Sequence, residues 1–382
     1  MESSEIRDAT LGEIALVFLK LGTIAFGGPA AHLAMMEDEF VRRKMWITQA
    51  DFLDRLAAAN LIPGPSSTEV AIFIGKLKGG WRGLIVGGCC FIIPASLIVL
   101  AIAWAYVRFG SLPQAQHVLY AIKPVVVAII IQALVRLGRS GVRTILPGVI
   151  AALAAILSFV GVSPVLVLMV AGALSAVVLA TRQRLLGVGP LSAPKILVAA
   201  VAAAGAATTI PVGLLRLFLS FLKIGSVIFG SGYVLLAFLQ TEFVERMHWL
   251  TDRQLLDAVA VGQFTPGPLF TTATFIGYIV AGWKGAIVAT IGIFLPGFIL
   301  VALSEPLIPR LRGSPAFAAA LDGVIAGSLA LMAVVTWQLG KASIVDWATL
   351  FVFGASLIAL LRFQVNSAWL ILASASVGLL LR

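Results

Sequence analysis

Phe18-Leu19-Lys20-Leu21-Gly22 and Phe221-Leu222-Lys223-Ile224-Gly225 are two versions of one segment, 203 residues apart (223 − 20 = 203). The same offset carries Pro63-Gly64-Pro65 onto Pro266-Gly267-Pro268. Two leucine-rich stretches can look alike through composition, but composition alone does not align a lysine and a Pro-Gly-Pro triplet at one spacing. The chain therefore contains an internal duplication.

The composition indicates a membrane protein. Of the 382 residues, 60% are hydrophobic and 12% are charged, and the mean hydropathy is +1.06. A globular domain with so few charges has too little polar surface to remain wettable. Apolar stretches of about 20 residues, the length that crosses a bilayer core, recur along the chain. We expect an all-α polytopic membrane protein with about ten to thirteen transmembrane segments, and the acidic first residues predict no removable signal peptide.

The duplication predicts two homologous membrane repeats. The expected boundaries are 1–190 for the first repeat, 191–213 for a linker with room for one extra transmembrane segment, and 214–382 for the second repeat. Arg310 and Arg312 lie in a loop whose counterpart in the first repeat is sparsely basic. Because Lys and Arg favour the cytoplasmic side, we expect the repeats to be inverted. Inverted repeats are common in transporters, with the substrate site between them.

Each repeat contains a helical pattern interrupted by Pro-Gly-Pro, which predicts a broken or re-entrant helix. Non-helical backbone at membrane depth persists where it is buried in protein or lines a cavity. Hydroxyl residues follow each break, and together with the free amides of the next half-helix they can bind an oxyanion. The predicted substrate-binding residues of the two breaks are Pro63, Gly64, Pro65, Ser66, Ser67, Thr68, Pro266, Gly267, Pro268 and Thr271. A purely structural kink is the alternative.

Small residues form a second matched element in each repeat. Gly27 and Gly28 follow Phe26 in the first repeat, and Gly230 and Ser231 take their places in the second. Adjacent small residues let the backbone unwind and a ligand approach closely, so we include these four in the predicted substrate site. Close helix packing through small residues is the competing explanation.

Lys20 and Lys223 are the most informative charges, because each lies inside an apolar run. A lysine at membrane depth costs roughly 2.5–3.5 kcal/mol on insertion scales, so it usually faces a cavity or a partner. We expect the two lysines to form a cationic substrate site. The alternatives are that they extend to the interface or pair with an acid such as Glu13.

Three acids are candidates for ion coupling. Asp54 and Asp257 are register-matched (257 − 54 = 203), and we expect them to relay protons or to hold Lys20 and Lys223 between substrates. A solvated acid in the first turns of a helix is the alternative. Glu69 has no acidic counterpart in the second repeat, and this asymmetry makes it a third candidate.

Two Glu-Arg pairs four residues apart predict surface ion pairs with a structural role. They are Glu39 with Arg43, and Glu242 with Arg246.

The sequence predicts no catalytic centre, metal site or cofactor. The three histidines are dispersed, no zinc or nucleotide spacing occurs, and Cys89 and Cys90 lie side by side in an apolar span. The formal charge of +10 is spread between spans and forms no basic face, so nucleic acid is not an expected partner.

At the Phe-Gly-Gly and Pro-Gly-Pro elements the chain resembles the long, two-domain members of the chromate ion transporter family. The resemblance implies export of chromate across the bacterial inner membrane, chromate resistance, and sulfate as a related competitor. It also implies that the first repeat follows the family pattern more closely, since Ser231 and Gly232 replace Gly28 and Pro29. The expected partners are chromate, sulfate and the lipid bilayer, and a homodimer is left open.

Two rival functions are retained. One is a sulfate or other oxyanion importer that uses Asp54, Asp257 or Glu69 to couple protons. The other belongs to a different class, a membrane enzyme or flippase acting on lipid phosphates, which needs an interfacial cluster of His, Asp and Arg that the sequence does not display.

Overall fold

The computed structural model describes residues 8–26, 28–110, 112–141, 144–185, 213–229, 232–304, 308, 311, 314–363 and 365–380. Within these ranges the protein is helical and contains no β-strand. The first half holds α1 (Leu11–Ile24), α2 (Gly28–Glu37), α3 (Gln49–Ala59), α4 (Ser66–Phe109), α5 (Pro113–Gly141), α6 (Ile145–Phe159) and α7 (Pro164–Leu185). The second half holds α8 (Leu214–Val227), α9 (Leu235–Leu239), α10 (Asp252–Phe264), α11 (Thr272–Ser304), α12 (Pro315–Ser343), α13 (Trp347–Arg362) and α14 (Ser367–Leu380).

The equivalent helices α3 and α10 begin with the same local signal. Capping boxes formed by Thr48 with Asp51 and by Thr251 with Gln254 start α3 and α10. A π-helical segment precedes each of these helices, Asp38–Arg43 in the first half and Gln240–Arg246 in the second. The Pro-Gly-Pro triplets follow the ends of α3 and α10, which confirms the predicted helix breaks.

The long helices α4 and α11 each fold back on themselves. Gly80 has φ +57° and Gly282 has φ +61°, a left-handed conformation that glycine adopts without steric cost. A Cβ on Gly75 would lie 2.3 Å from the carbonyl oxygen of Gly83. Eight residues of straight helix span about 12 Å, so this contact requires the chain to reverse direction. Each helix is therefore a tight hairpin of a short and a long arm.

The centre of the molecule is built from equivalent elements of both halves. Helix α1 packs on α4, α8 packs on α11, and α4 and α11 pack on each other. The halves also interleave at the periphery, where α5 of the first half packs against α12, α13 and α14 of the second. The central pair α4 and α11 brings the segments that follow the two breaks into one region.

The helices have the length and surface of membrane spans. Five helical segments in the described ranges are long and apolar enough to cross a bilayer, and three shorter apolar helices accompany them. Large hydrophobic side chains such as Trp81, Ile145 and Phe351 are exposed, as expected for a lipid-facing surface. The predicted all-α polytopic membrane protein is confirmed. The repeat boundaries, the number of spans and the inversion stay predictions, and most of the predicted linker, up to residue 212, lies outside the described residues.

Candidate functional site

The two Pro-Gly-Pro breaks lie at the junction of the halves. The amide of Gly64 donates a hydrogen bond to the carbonyl oxygen of Ile228 at 2.8 Å, and the amide of Gly267 donates to the carbonyl oxygen of Ala25 at 2.9 Å. Ala25 and Ile228 follow the last turns of α1 and α8. Each break is thus bonded to the end of the first helix in the other half. This reciprocity is what a two-fold relation between the repeats produces.

The central glycine of each break has a backbone conformation that side chains disfavour. Gly64 has φ +137° and Gly267 has φ +88°. A Cβ on Gly267 would lie 2.4 Å from the Cβ of Ala95 and 3.3 Å from the carbonyl oxygen of Gly22. The junction therefore depends on glycine for both its φ angle and its close packing.

Glu69 lies against the first break. It is 0% exposed, and neither carboxylate oxygen has a hydrogen-bond partner in the described part of the chain. A Cβ on Gly64 would lie 1.9 Å from Glu69 Oε1, and a Cβ on Gly297 in α11 would lie 4.0 Å from the same oxygen. Glu69 thus fills the space beside Gly64 and faces the other half. At the positions that correspond to Glu69, the second repeat has Thr271 and Thr272.

The hydroxyl residues after the first break differ in what they bond. Ser66 donates to Asn60 Oδ1 at 2.9 Å, and Ser67 Oγ lies 3.4 Å from His32 Nδ1. Thr68 is 1% exposed, and its hydroxyl has no partner among the described residues. Thr68 is therefore the hydroxyl of this set with unused hydrogen-bonding capacity.

After the second break, the threonine hydroxyls bond locally. Thr271 donates to the carbonyl oxygen of Pro268, and Thr272 donates to that of Leu269, both at 2.8 Å. Thr271 would have to give up this bond to contact a substrate. The predicted hydroxyl donors are thus not equivalent in the two repeats.

The Phe-Gly elements are helix interruptions. Helix α1 ends at Ile24 and α8 ends at Val227, so the backbone leaves helical geometry before both elements. Gly28 has φ +77°, and a Cβ there would lie 3.5 Å from the hydroxyl of Tyr233 in the other half. Gly27, Gly230 and Ser231 lie outside the described residues.

Both predicted lysines are paired with carboxylates. Lys20 Nζ lies 3.1 Å from Glu39 Oε2, and Lys223 Nζ lies 2.6 Å from Glu242 Oε2. The lysine side chains are 49% and 28% exposed, whereas the glutamate side chains are 9% and 10% exposed. Glu13 instead accepts the bonds that cap α1. The lysines therefore face acids of their own halves and form no shared, uncompensated cationic site.

The expected surface pair of Glu39 with Arg43 is wrong. Arg43 Nε contacts Asp38 Oδ2 at 2.7 Å, because Glu39 turns inward. Glu242 does contact Arg246, at 3.6 Å, in addition to its lysine. Sequence reasoning missed the Lys-Glu pairs themselves. Their signal is that a lysine and a glutamate are 19 residues apart in both halves (39 − 20 = 19; 242 − 223 = 19). Both glutamates also lie in π-helical segments, which occur frequently at functional sites.

The two Lys-Glu pairs are expected to differ in their contribution to stability. Lys20→Met leaves the buried Glu39 carboxylate without its cation and should cost about 1–3 kcal/mol of unfolding free energy. Lys223→Met should cost about 1 kcal/mol less, because Glu242 retains Arg246 at 3.6 Å. Thermal unfolding of the purified variants in detergent measures this difference, with Lys284→Met at an exposed site as the control. A larger loss for Lys223→Met would contradict it.

The register-matched aspartates have different surroundings. Asp54 is exposed on α3. Asp257 is 1% exposed on α10 and contacts Lys123 Nζ at 3.1 Å, and Tyr106 donates to it at 2.9 Å. The expectation that Asp54 and Asp257 hold Lys20 and Lys223 is therefore wrong for Asp257. Lys123 was missed, although it too lies in an apolar run.

The junction has the chemistry to handle an anion. It combines non-helical backbone, the start of the half-helix at Ser66, the hydroxyl of Thr68, which has no partner among the described residues, and the titratable carboxyl of Glu69. Amides at a helix start favour negative charge, while an ionised carboxylate beside them disfavours it. An ionised Glu69 would therefore oppose an anion at the junction, and a protonated Glu69 would not.

Comparison with known proteins identifies relatives over most of the chain. The sequence profile described as chromate transporter matches residues 12–177 and 215–379, one stretch in each half. A chromate transport protein of Cupriavidus metallidurans is 36% identical over 373 residues, covering 96% of this chain and 92% of the relative. A probable chromate transport protein of Synechococcus elongatus is 32% identical over 349 residues, covering 90% and 88%.

A chromate transport protein of Pseudomonas aeruginosa is 30% identical over 376 residues, covering 94% of this chain and 90% of the relative. No solved structure matches the chain. The relatives are transporters rather than enzymes, which agrees with the helical membrane architecture. The chain belongs to the chromate transporter family.

Proposed function

We propose that the protein is a secondary carrier that exports chromate across the bacterial inner membrane and thereby confers chromate resistance. The observation that carries the proposal is the reciprocal bonding of Gly64 to Ile228 and of Gly267 to Ala25. These bonds connect each helix break to the opposite half. A movement of one half against the other would therefore displace both breaks together. Membership of the chromate transporter family supports the choice of anion.

The membrane potential supports the proposed direction. Moving one elementary charge across 100 mV is worth roughly 2.3 kcal/mol, so a dianion leaving a negative interior gains about 4.6 kcal/mol. Export of chromate therefore needs no further energy source, whereas accumulation inside the cell needs coupled cations.

The proposed binding contacts come from the breaks. Amides at the start of the half-helix after Pro65 and the hydroxyl of Thr68 would replace part of the water around the anion. Lys20 and Lys223 remain candidate ligands, and each would exchange its glutamate for the substrate. Rocking of the two halves would then expose the bound anion to the opposite side.

Everted vesicles test the direction of transport. We expect chromate to accumulate in the lumen when a lumen-positive potential is imposed, without any proton gradient, and sulfate to compete. Vesicles carrying an equal amount of a Gly64→Leu variant serve as the control. Movement of chromate only toward the cytoplasmic face, and only with a sodium or proton gradient, would contradict export.

A proton-coupled importer of sulfate or another oxyanion is the second candidate function. It is favoured by one observation, the fully buried Glu69 without a hydrogen-bond partner in the described ranges. A carboxyl in such a place is stable when it carries a proton, because an isolated buried charge is strongly unfavourable. The same vesicles distinguish the two functions, since import and export accumulate the anion on opposite sides.

A further inference from the structure

A polar cavity of about 300 Å³ lies between helices of both halves. Its walls come from α4, α5, α10 and α12, and none of its lining residues belongs to the Pro-Gly-Pro breaks. The side chains that give it its chemistry are Tyr106, His117, Lys123, Arg253, Asp257 and Ser343. The cavity has room for a small oxyanion together with several waters, at roughly 30 Å³ per water.

Lys123 is the buried cation of this cavity. Its side chain is 11% exposed, and its ammonium lies 3.1 Å from Asp257 Oδ1. This contact is an ion pair with the carboxylate of Asp257. An ammonium group carries three donor hydrogens. Lys123 therefore has donors available for a second anion.

Ser343 supplies an unused hydroxyl at the end of α12. It is 4% exposed, and its Oγ has no hydrogen-bond partner among the residues that the structure describes. A buried hydroxyl without a partner is unfavourable, so a ligand or water that bonds it would stabilise the cavity wall. Ser343 and Lys123 line the same cavity.

The charges of the cavity favour an anion over a cation. Lys123 and the exposed Arg253 carry two positive charges against the single negative charge of Asp257. Tyr106 already donates its hydroxyl to Asp257 Oδ2 at 2.9 Å, which leaves less of that carboxylate available to bind a cation. The free donors in the cavity are thus those that an oxyanion accepts.

We propose that this cavity is a second binding site for a tetrahedral oxyanion, held by Lys123 and Ser343, with Asp257 occupying Lys123 when the site is empty. The inference rests on the proposed transport of chromate. It adds a site, apart from the breaks, at which the anion binds. Helix α10 connects the two places, because Phe264 at its end lies seven residues beyond Asp257 (264 − 257 = 7), about 10 Å along the axis.

The duplication does not repeat this site at the equivalent positions. The residues 202 and 203 positions after Lys123 are Ile325 and Ala326, and Asp54, the counterpart of Asp257, is exposed. The cavity therefore adds to the difference that Glu69 already makes between the two breaks.

Equilibrium binding of chromate to the purified full-length protein in lipid nanodiscs tests the proposal, with sulfate as competitor. In a Gly64→Leu background, which removes the proposed site at the breaks, Lys123→Gln should weaken the remaining chromate binding by about tenfold or more, and Ser343→Ala by a few-fold. Asp257→Asn should strengthen binding by a few-fold, because it removes the competing carboxylate. Lys284→Gln, which removes an exposed positive charge elsewhere, should leave the binding of that background unchanged.

The double variant Lys123→Gln/Asp257→Asn keeps the test valid if a lone buried charge prevents folding. It should fold and bind as weakly as Lys123→Gln. Unchanged affinity in either Lys123 variant would overturn the proposal, and so would weaker binding in Asp257→Asn, because the pair would then be structural. Lys123-dependent binding without export from vesicles would reject the proposed function alone, whereas export with Lys123-independent binding would reject the site alone.

Discussion

Gly64→Leu is expected to reduce chromate transport to background while the protein still inserts into the membrane. Gly64 has φ +137°, and its Cβ would lie 1.9 Å from Glu69 Oε1. The larger side chain would displace the buried carboxyl and open the contact with the other half. Transport into everted vesicles, normalised to the amount of protein, measures the effect. Gly354→Leu is the matched control, because a Cβ there has no neighbour within 4 Å.

The second break allows a rescue experiment for the same prediction. Gly267→Ala should also lose most transport, because its Cβ would lie 2.4 Å from that of Ala95. Ala95→Gly removes this contact, so the double variant should recover part of the activity. Recovery stays partial because φ +88° still costs a non-glycine residue about 1–2 kcal/mol. Wild-type chromate flux in both Gly64→Leu and Gly267→Ala would show that the breaks are ordinary kinked helices.

Glu69→Gln is expected to slow potential-driven chromate transport by about tenfold or more and to remove any change in rate that an added pH gradient causes in the wild type. The amide has the shape of a protonated carboxyl but cannot exchange a proton, so the junction keeps one charge throughout the cycle. Because burial favours a neutral group here, the variant should fold and insert normally. The measurement compares vesicles with and without a pH gradient at constant membrane potential.

Glu245→Gln provides the control for Glu69→Gln, because Glu245 is exposed. A transport rate and proton response in Glu69→Gln equal to those of the wild type would contradict a role for Glu69 in coupling. Loss of rate with an unchanged proton response would assign Glu69 to anion binding at the break.

The sequence predicted the helix breaks that recur in both halves. The Pro-Gly-Pro breaks and the loss of helix at the Phe-Gly elements are local consequences of proline and glycine, so their positions could be predicted without a structure. The reversals at Gly80 and Gly282 were not predicted. Hydropathy continues unchanged through such a reversal, so a hairpin and a long helix give the same signal.

The contacts that build the candidate sites could not be predicted in the same way. Gly64 bonds Ile228 across 164 positions (228 − 64 = 164), and no local pattern specifies such a partner. Lys123 was missed because comparison of the halves draws attention to matched residues, and Lys123 has no match. Glu39 was assigned to Arg43 because a spacing of four residues favours a pair on an α-helix, but Glu39 instead contacts Lys20, 19 positions earlier.

The reciprocal bonds of Gly64 and Gly267 constrain how such a protein can be assembled. Each half provides the carbonyl oxygen that accepts from the glycine amide of the other half's Pro-Gly-Pro break. The hydrocarbon of the bilayer offers no substitute acceptor. A shorter polypeptide with a single half would have to borrow that acceptor from another molecule. Joining the two halves in one polypeptide makes these hydrogen bonds intramolecular and lets the two breaks diverge in sequence. Glu69 in the first half, for example, corresponds in position to Thr271 and Thr272 in the second.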